Sequence, residues 1–442
     1  MKYISTNNKA KPVIFSDAVI NGLAEDGGLY MPEYVPVLPS DFWDNLSRYS
    51  FHEIAQILLY PYTSETWDKD TLHAIIKKAF NFDVPLEKVN ARTFVTELFH
   101  GPTLAFKDFG ARFLAQTFEH LAGGRKITIL VATSGDTGSA VAQGFKNTEN
   151  VSVLLLYPKG KVSELQEQQL TTVGGNVTAL EITGSFDDCQ RLVKQAFSDT
   201  DLRKKIHLSS ANSINIARLL PQSIYYAYAL AQYQKSESEP PVFVVPSGNM
   251  GNVTAGLLAM KMGMPVDQFV IATNINDVVP EYLEKGIFKA RKSHNTISNA
   301  MDVGDPSNLA RIQYLFNYSI DEMRSTLKGY SFTDNQTRKT IKKVFDETGY
   351  LLDPHTAIGY QAAVKFRQKI NQPEKPVIIM ATAHPAKFKN IVEPIIKKEI
   401  DLPQTLKDCM IREKHSILME PSYNKFKRFL LEQSENSAVT NI

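Results

Sequence analysis

From about residue 93 onward, short apolar runs alternate with segments of helical period. The runs are 126–132, 151–157, 177–182, 242–245, 269–272 and 377–380, and most of their residues are Val, Ile or Leu. A strand with one face in water would alternate polar and apolar residues. A continuous apolar run predicts a strand buried on both faces, as in parallel sheets covered by helices. Between the runs, 187–197 and 224–231 carry the spacing of amphipathic helices. Residues 1–92 have another rhythm. Helical patterns fall near 41–50, 51–60 and 70–80, and glycine and proline punctuate 25–32. This predicts a mainly helical N-terminal domain over 1–92, followed by an α/β fold with a mostly parallel sheet. The polar stretch 235–241 joins a helix to the next strand, and the tail after Glu432 reads as frayed.

Composition narrows the function classes. Of 442 residues, 43% are hydrophobic and 22% charged, the profile of an ordinary soluble globular protein. The net charge of +2 argues against a dedicated nucleic-acid surface. Lys387, Lys389, Lys397 and Lys398 read as a solvated helix face rather than a binding patch. The two cysteines, Cys189 and Cys409, form neither a disulfide framework nor a zinc spacing, which suits a reducing compartment. No apolar run approaches the roughly 18 residues of a membrane span, and the first residues lack a signal-peptide pattern. The expected location is the cytoplasm, with no membrane partner. No metal-ligand spacing, nucleophile elbow, dinucleotide fingerprint or Walker loop is present.

Two separated stretches suit one phosphorylated cofactor. Lys107 stands among Leu104, Phe106 and Phe109. A lysine in apolar surroundings loses its proton more easily and can attack a carbonyl. The loop Gly248, Asn249, Met250, Gly251, Asn252 lies between an apolar run and a helical pattern. Two glycines there allow backbone N–H groups to wrap a phosphate, and the helix behind adds its positive end. An aldehyde that carries a phosphate, pyridoxal phosphate, needs both. Taken singly, each stretch also reads as structure: a snorkelling lysine, or a capped strand-to-helix turn.

Other stretches add polar groups. Ser134, Gly135, Asp136 and Thr137 follow the run 126–132 and open a helix, as an amino-acid carboxylate site or a well-capped start. Asn212, Ser213 and Arg218 would hold a second phosphate or form a polar helix start. Thr382 ends the run 377–380, where open α/β sheets place ligands. His384 beside it reads as a shuttle or, more simply, as satisfied by its neighbours. Asp353 and Pro354 have the form of an N-cap followed by proline at the first helical position.

Together, 99–110, 132–138, 210–218, 246–252 and 382–388 resemble the threonine synthase family, in one order along about residues 1 to 400. The opening 22–32 is similar to that family's N-terminal region. The resemblance implies fold type II of the pyridoxal-phosphate enzymes, shared with tryptophan synthase β. It implies conversion of O-phospho-L-homoserine and water to L-threonine and phosphate, by γ-elimination and β-addition of water. It makes Lys107 the Schiff-base lysine and 248–252 the cofactor-phosphate loop. Thr382 becomes the partner of the pyridine nitrogen. The turn 134–137 would receive the substrate's amino-acid end, and Asn212, Ser213 and Arg218 its phosphate. Members of this branch are often monomers.

With that family in view, the expected division is 1–92, a large cofactor domain of 93–125 and 212–442, and a small α/β lobe of 126–211. Two departures stand out. Relatives in the wider group often have Asn where Asp136 stands. A carboxylate there would repel a substrate carboxylate, so Asp136 is expected to cap its helix or orient Ser134. Met250 replaces a frequent Phe, with little effect expected if only its backbone meets the phosphate. The rival readings are a threonine or serine dehydratase on the same cofactor, and a non-catalytic homologue that keeps the pocket.

Overall fold

The computed structural model describes residues 1–133 and 135–439, with side chains up to 434. Two sheets dominate. The larger has six strands in the order Leu327–Ser331, Gln268–Thr273, Val242–Pro246, Val377–Ala381, Thr93–Glu97, Leu86–Asn90. Every neighbouring pair is parallel except the last, which is antiparallel. The smaller sheet is parallel throughout, in the order Ile417–Met419, Val177–Ile182, Val151–Pro158, Ile127–Ala132, His207–Ser210. All six apolar runs are strands of these sheets. Every residue of Val242–Pro246 and Val377–Ala381 is buried, which is why no polar alternation marks them.

The first 80 residues are mainly helical. Phe15–Asn21, Ser40–Asp44, Phe51–Thr63 and Lys69–Ala79 are helices, beside a small antiparallel pair, Tyr3–Ser5 with Tyr30–Pro32. Phe51–Thr63 starts on a capping box, Ser50 with Glu53. Sheet pairing crosses the division expected from sequence at two points. Leu86–Asn90 joins the large sheet as an edge strand, and Ile417–Met419 joins the small one. The first exposes Glu87, Lys88 and Asn90, and the second is only three residues long, so neither shows as an apolar run. The final helix, Tyr423–Val439, runs past the point where fraying is expected, anchored by Phe426 and Leu430 in the core of the small sheet.

The topology gathers distant loops. Val242–Pro246, Val377–Ala381 and Thr93–Glu97 are adjacent and parallel, so their C-terminal ends open at one edge. From those ends come 247–250, Thr382 and 98–106. In the small sheet, the adjacent strands Ile127–Ala132 and His207–Ser210 likewise lead into 133–135 and 211–215.

Helix Gly251–Lys261, which follows the first of these loops, lies very close to its neighbours. A Cβ on Gly256 would stand 2.7 Å from Phe269 Cε1 and 2.8 Å from Tyr226 Cζ. Alanine gains about 1 kcal/mol of helix propensity over glycine, but overpacking a core costs about 1–3 kcal/mol. Gly256→Ala is expected to lower the midpoint of urea unfolding. An unchanged or raised midpoint would show that the two rings yield freely.

Candidate active site

Lys107 is the first residue of the helix Lys107–Leu121. The loop before it is folded by a buried carboxylate: Asp108 accepts the Thr103 N–H at 2.9 Å and the Thr103 hydroxyl at 2.7 Å. Leu104 adopts a left-handed backbone, φ 56°. The Phe106 N–H then donates to the Thr382 carbonyl at 2.9 Å, and this joins the lysine loop to the strand end at 382. Lys107 Nζ lies 4.8 Å from the centroid of the Phe106 ring. Its side chain is half-buried and lines a cleft. Burial lowers the pKa of its amine to about 8, helped by the Arg218 charge and opposed by Asp136.

Arg218 lies in the short helix Ile216–Leu219 and is fully buried. One amino group bonds the Ala211 carbonyl, while Nε has no partner among the described residues. Burial lowers its pKa to about 10, so it is still a cation at neutral pH. Gly110 makes room for it. A Cβ there would lie 2.7 Å from the Arg218 carbonyl oxygen and 2.8 Å from Nε.

The loop 247–252 is wired on its outer side. Asn249 Nδ2 donates to Ser213 Oγ at 2.6 Å, and Asn249 Oδ1 accepts the Ser307 N–H at 2.6 Å. Asn308 Nδ2 donates to the Asn249 carbonyl at 3.0 Å. Met250 is left-handed, φ 61°, and leads into helix Gly251–Lys261. Asn252 Oδ1 accepts from both Tyr225 and Tyr226 hydroxyls at 2.7 Å, while its Nδ2 has no partner among the described residues. Gly248 is pressed against 300–301: a Cβ would lie 2.6 Å from the Ala300 oxygen. Gly251 is different. A Cβ there would make only ordinary van der Waals contacts, 3.5 Å from Asn308 Nδ2 and 3.8 Å from Ser213 Cβ.

Lys107, Ser213, Arg218, all five residues of 248–252 and Thr382 line one cleft. Asn212, Gly135, Asp136 and Thr137 do not line it, and Ser134 lies outside the described residues. Two buried donors without acceptors, Arg218 Nε and Asn252 Nδ2, suit an anionic occupant. Gly251 and Asn252 line the same cleft at the start of helix Gly251–Lys261, where backbone N–H groups favour an anion. The residues therefore fit a phosphorylated aldehyde beside a lysine of lowered pKa.

Two expectations are corrected. Asp136 is not a helix cap. Thr133 Oγ1 takes the N–H groups of Gly135 at 3.0 Å and Gly138 at 2.9 Å, while Asp136 is ion-paired with Lys387 at 2.6 Å. Lys387 accordingly is no surface lysine. Its side chain is fully buried in the turn 385–388, whereas Lys397 and Lys398 are exposed. His384 accepts the Ala386 N–H at 3.1 Å and packs edge-on against Phe99, a satisfied histidine. Asp353 does cap the helix Pro354–Ile370.

Sequence reasoning missed His355, Asn308 and Arg311. His355 lines the cleft, and its Nδ1 pairs with Asp353 at 2.7 Å. Arg311 is buried and donates to the carbonyls of Ser213, Ile214 and Tyr30. Only the N-cap pattern at 353–354 gave any signal near these three.

Comparison with known proteins gives matches along nearly the whole chain. A family model described as "Pyridoxal-phosphate dependent enzyme" matches residues 82–383. "Threonine synthase N terminus" matches 2–80, and "Threonine synthase, C-terminal" matches 356–430. The chain is 44% identical to threonine synthase of Haemophilus influenzae, over 98% of this chain and 100% of that relative. A crystal structure of threonine synthase from Escherichia coli superposes with TM-score 0.92 at 39% identity, covering 98% of this chain and 100% of that one. A pyridoxal-phosphate-bound threonine synthase from Brucella melitensis gives TM-score 0.91 at 35% identity, covering 98% and 99%.

The lowered pKa of Lys107 has a direct readout. Burial disfavours the ammonium, so the reactive neutral amine must appear at lower pH than at exposed lysines. Competitive acetylation of the cofactor-free protein, read by mass spectrometry, should give Lys107 a midpoint near pH 8. Exposed lysines should follow near the ordinary value of about 10.4. A Lys107 profile that coincides with theirs would refute the desolvated setting.

Proposed function

The chain belongs to the threonine synthase family of pyridoxal-phosphate-dependent enzymes, and on that premise we propose how its own residues divide the work. It is a lyase that uses pyridoxal phosphate, and its substrate on this reading is O-phospho-L-homoserine. Lys107 holds the cofactor covalently, the loop 248–252 holds the cofactor phosphate, and Thr382 meets the ring nitrogen. Asn212, Ser213 and Arg218 bind the substrate phosphate. The turn 134–137 binds its amino-acid end, carried on a lobe of 126–211 that closes over the substrate.

When bound, the cofactor supplies an electron sink that makes protons on Cα, and then Cβ, of the amino acid acidic. The substrate's phosphate is on Cγ, so two carbons must lose protons before it can leave. Lys107 is suited to both transfers. With a pKa near 8 it takes a proton and gives it back at neutral pH. Arg218 serves twice: its charge helps lower the pKa of the lysine, and its free Nε offers a charged hydrogen bond to the departing phosphate. Arg218, buried beside Lys107, is the observation that carries this reading over a dehydratase, whose substrate has no phosphate to bind.

No helix among the described residues is long and apolar enough to cross a membrane. Cys189 and Cys409 are buried and free. We place the enzyme in the cytoplasm, as a monomer with a small-molecule substrate and no nucleic-acid partner.

The test is phosphate release from O-phosphohomoserine. Lys107→Ala should release none. Arg218→Met, confirmed folded and loaded with cofactor by its absorption band, should lose about 10- to 100-fold in kcat/KM, the worth of a charged hydrogen bond. Arg218→Lys should recover part of that loss. Full activity in Arg218→Met, or faster turnover of serine or threonine than of the phosphorylated substrate, would favour the dehydratase.

A further inference from the structure

Asp136 raises a difficulty for any anionic ligand of the lobe. It opens the ten-residue helix Asp136–Phe145, whose N-terminal N–H groups favour an incoming carboxylate. Its own carboxylate is buried there, and near enough to Lys107 for its charge to act on that amine. Left bare, it would repel the ligand that the helix attracts. The structure shows how it is offset. Lys387 Nζ stands 2.6 Å from Asp136 Oδ1, and the two side chains are 0% and 7% exposed. The same ammonium donates to the Thr103 carbonyl at 3.0 Å. Gln166 Nε2 donates to the same Asp136 oxygen at 3.1 Å. Burial acts to raise the pKa of Asp136, but Lys387 and Gln166 override it and hold the group below the usual carboxylate range.

The pair also links the two sheets. Lys387 comes from the turn after Thr382 on the large sheet, and Asp136 from a helix on the small one. Gln169 reinforces the crossing by donating to the Thr103 carbonyl at 3.3 Å.

We propose that Lys387 is a positioning residue that cancels the charge of Asp136, so that the first turn of the helix Asp136–Phe145 can receive the carboxylate of the amino-acid substrate. This rests on the reading of the site given above. Lys387 does not touch the substrate. It acts through Asp136, and the two form one neutral unit in place of the uncharged amide that would otherwise suit the position.

The experiment titrates the cofactor-loaded protein with L-threonine and with L-threoninamide, which lacks the carboxylate. The change in the cofactor absorption band reports each Kd, and the quantity compared is the amide-to-acid ratio of Kd within each variant. Lys387→Met leaves Asp136 bare, so the ratio should fall about tenfold or more. The double variant Asp136→Asn with Lys387→Met has no charge at either position, and its ratio should return to within about threefold of wild type. Asp136→Asn alone leaves the ammonium uncompensated, and its ratio should rise about threefold or more. Should Lys387→Met fail to fold, the other two variants decide. An equal loss for both ligands in Lys387→Met, a double variant that does not recover, or no rise in Asp136→Asn would each overturn the proposal. Wild-type protein that binds neither ligand and releases no phosphate from O-phosphohomoserine would instead overturn the underlying reading of the site.

Discussion

The desolvation of one amine governs how the rest of this molecule is arranged. An ordinary lysine is almost wholly charged at neutral pH and cannot act as a nucleophile or base. Lys107 departs from that because burial disfavours its ammonium and because Arg218 adds a like charge nearby. Both conditions carry structural demands. A buried arginine must be held by carbonyls and packed closely. Gly110 supplies the close approach, at the expense of a glycine inside a helix. A second cationic group near the lysine must not draw in a free carboxylate that would recharge it. Asp136 is the nearby candidate for that, and its pairing with Lys387 keeps its charge occupied elsewhere.

Parallel register then does the assembling. Three adjacent strands that point the same way deliver the lysine loop, the 247–252 loop and Thr382 to one edge, although they lie far apart in the chain. The N-terminal region is part of the same scaffold. Buried Arg311 bridges the carbonyl of Tyr30 to those of Ser213 and Ile214. It also donates to Asn308 Oδ1 at 2.8 Å, and Asn308 in turn holds the Asn249 carbonyl. The loops at 213–214 and 249 are therefore tied through Arg311 and Asn308 to Tyr30 in the N-terminal region. A carbonyl-rich nest around a buried guanidinium is stiff, because losing any one contact leaves a charged donor unpaired in a dry place.

What could be read from the sequence follows from how local the signal is. Strands buried on both faces announce themselves as apolar runs, and all six were legible. Loops that need glycine beside polar residues were legible too, because the backbone demand sits within a few positions. Leu86–Asn90 was not, since an edge strand with one wet face carries Glu87, Lys88 and Asn90. Lys387 was misread for a deeper reason. A lysine within a basic stretch looks solvated, and only its partner at 136 shows otherwise. Nothing in spacing or composition connects two residues that meet across two sheets. Asp136 was misjudged with it: a carboxylate in a first helical turn ordinarily reads as a cap, and here Thr133 had already taken two N–H groups, those of Gly135 and Gly138.

His355 illustrates how such a residue can shape the site without reacting in it. The Ala300 N–H donates to its Nε2 at 3.2 Å, so the ring's own proton must sit on Nδ1, donated to Asp353 Oδ1 at 2.7 Å. Asp353 is itself fixed as the cap of helix Pro354–Ile370, accepting the His355 N–H at 2.9 Å. The chain of contacts thus runs from a helix N-terminus, through an oriented imidazole, to the backbone at Ala300. Ala300 is the residue whose carbonyl leaves no space for a side chain at 248. Gly248 is therefore a glycine because of the wall behind it, whereas a Cβ on Gly251 would meet only ordinary contacts at 3.5 Å or more. Two glycines that look equivalent in the sequence are thus under unequal steric demand, and only the first is required by the protein packed against it.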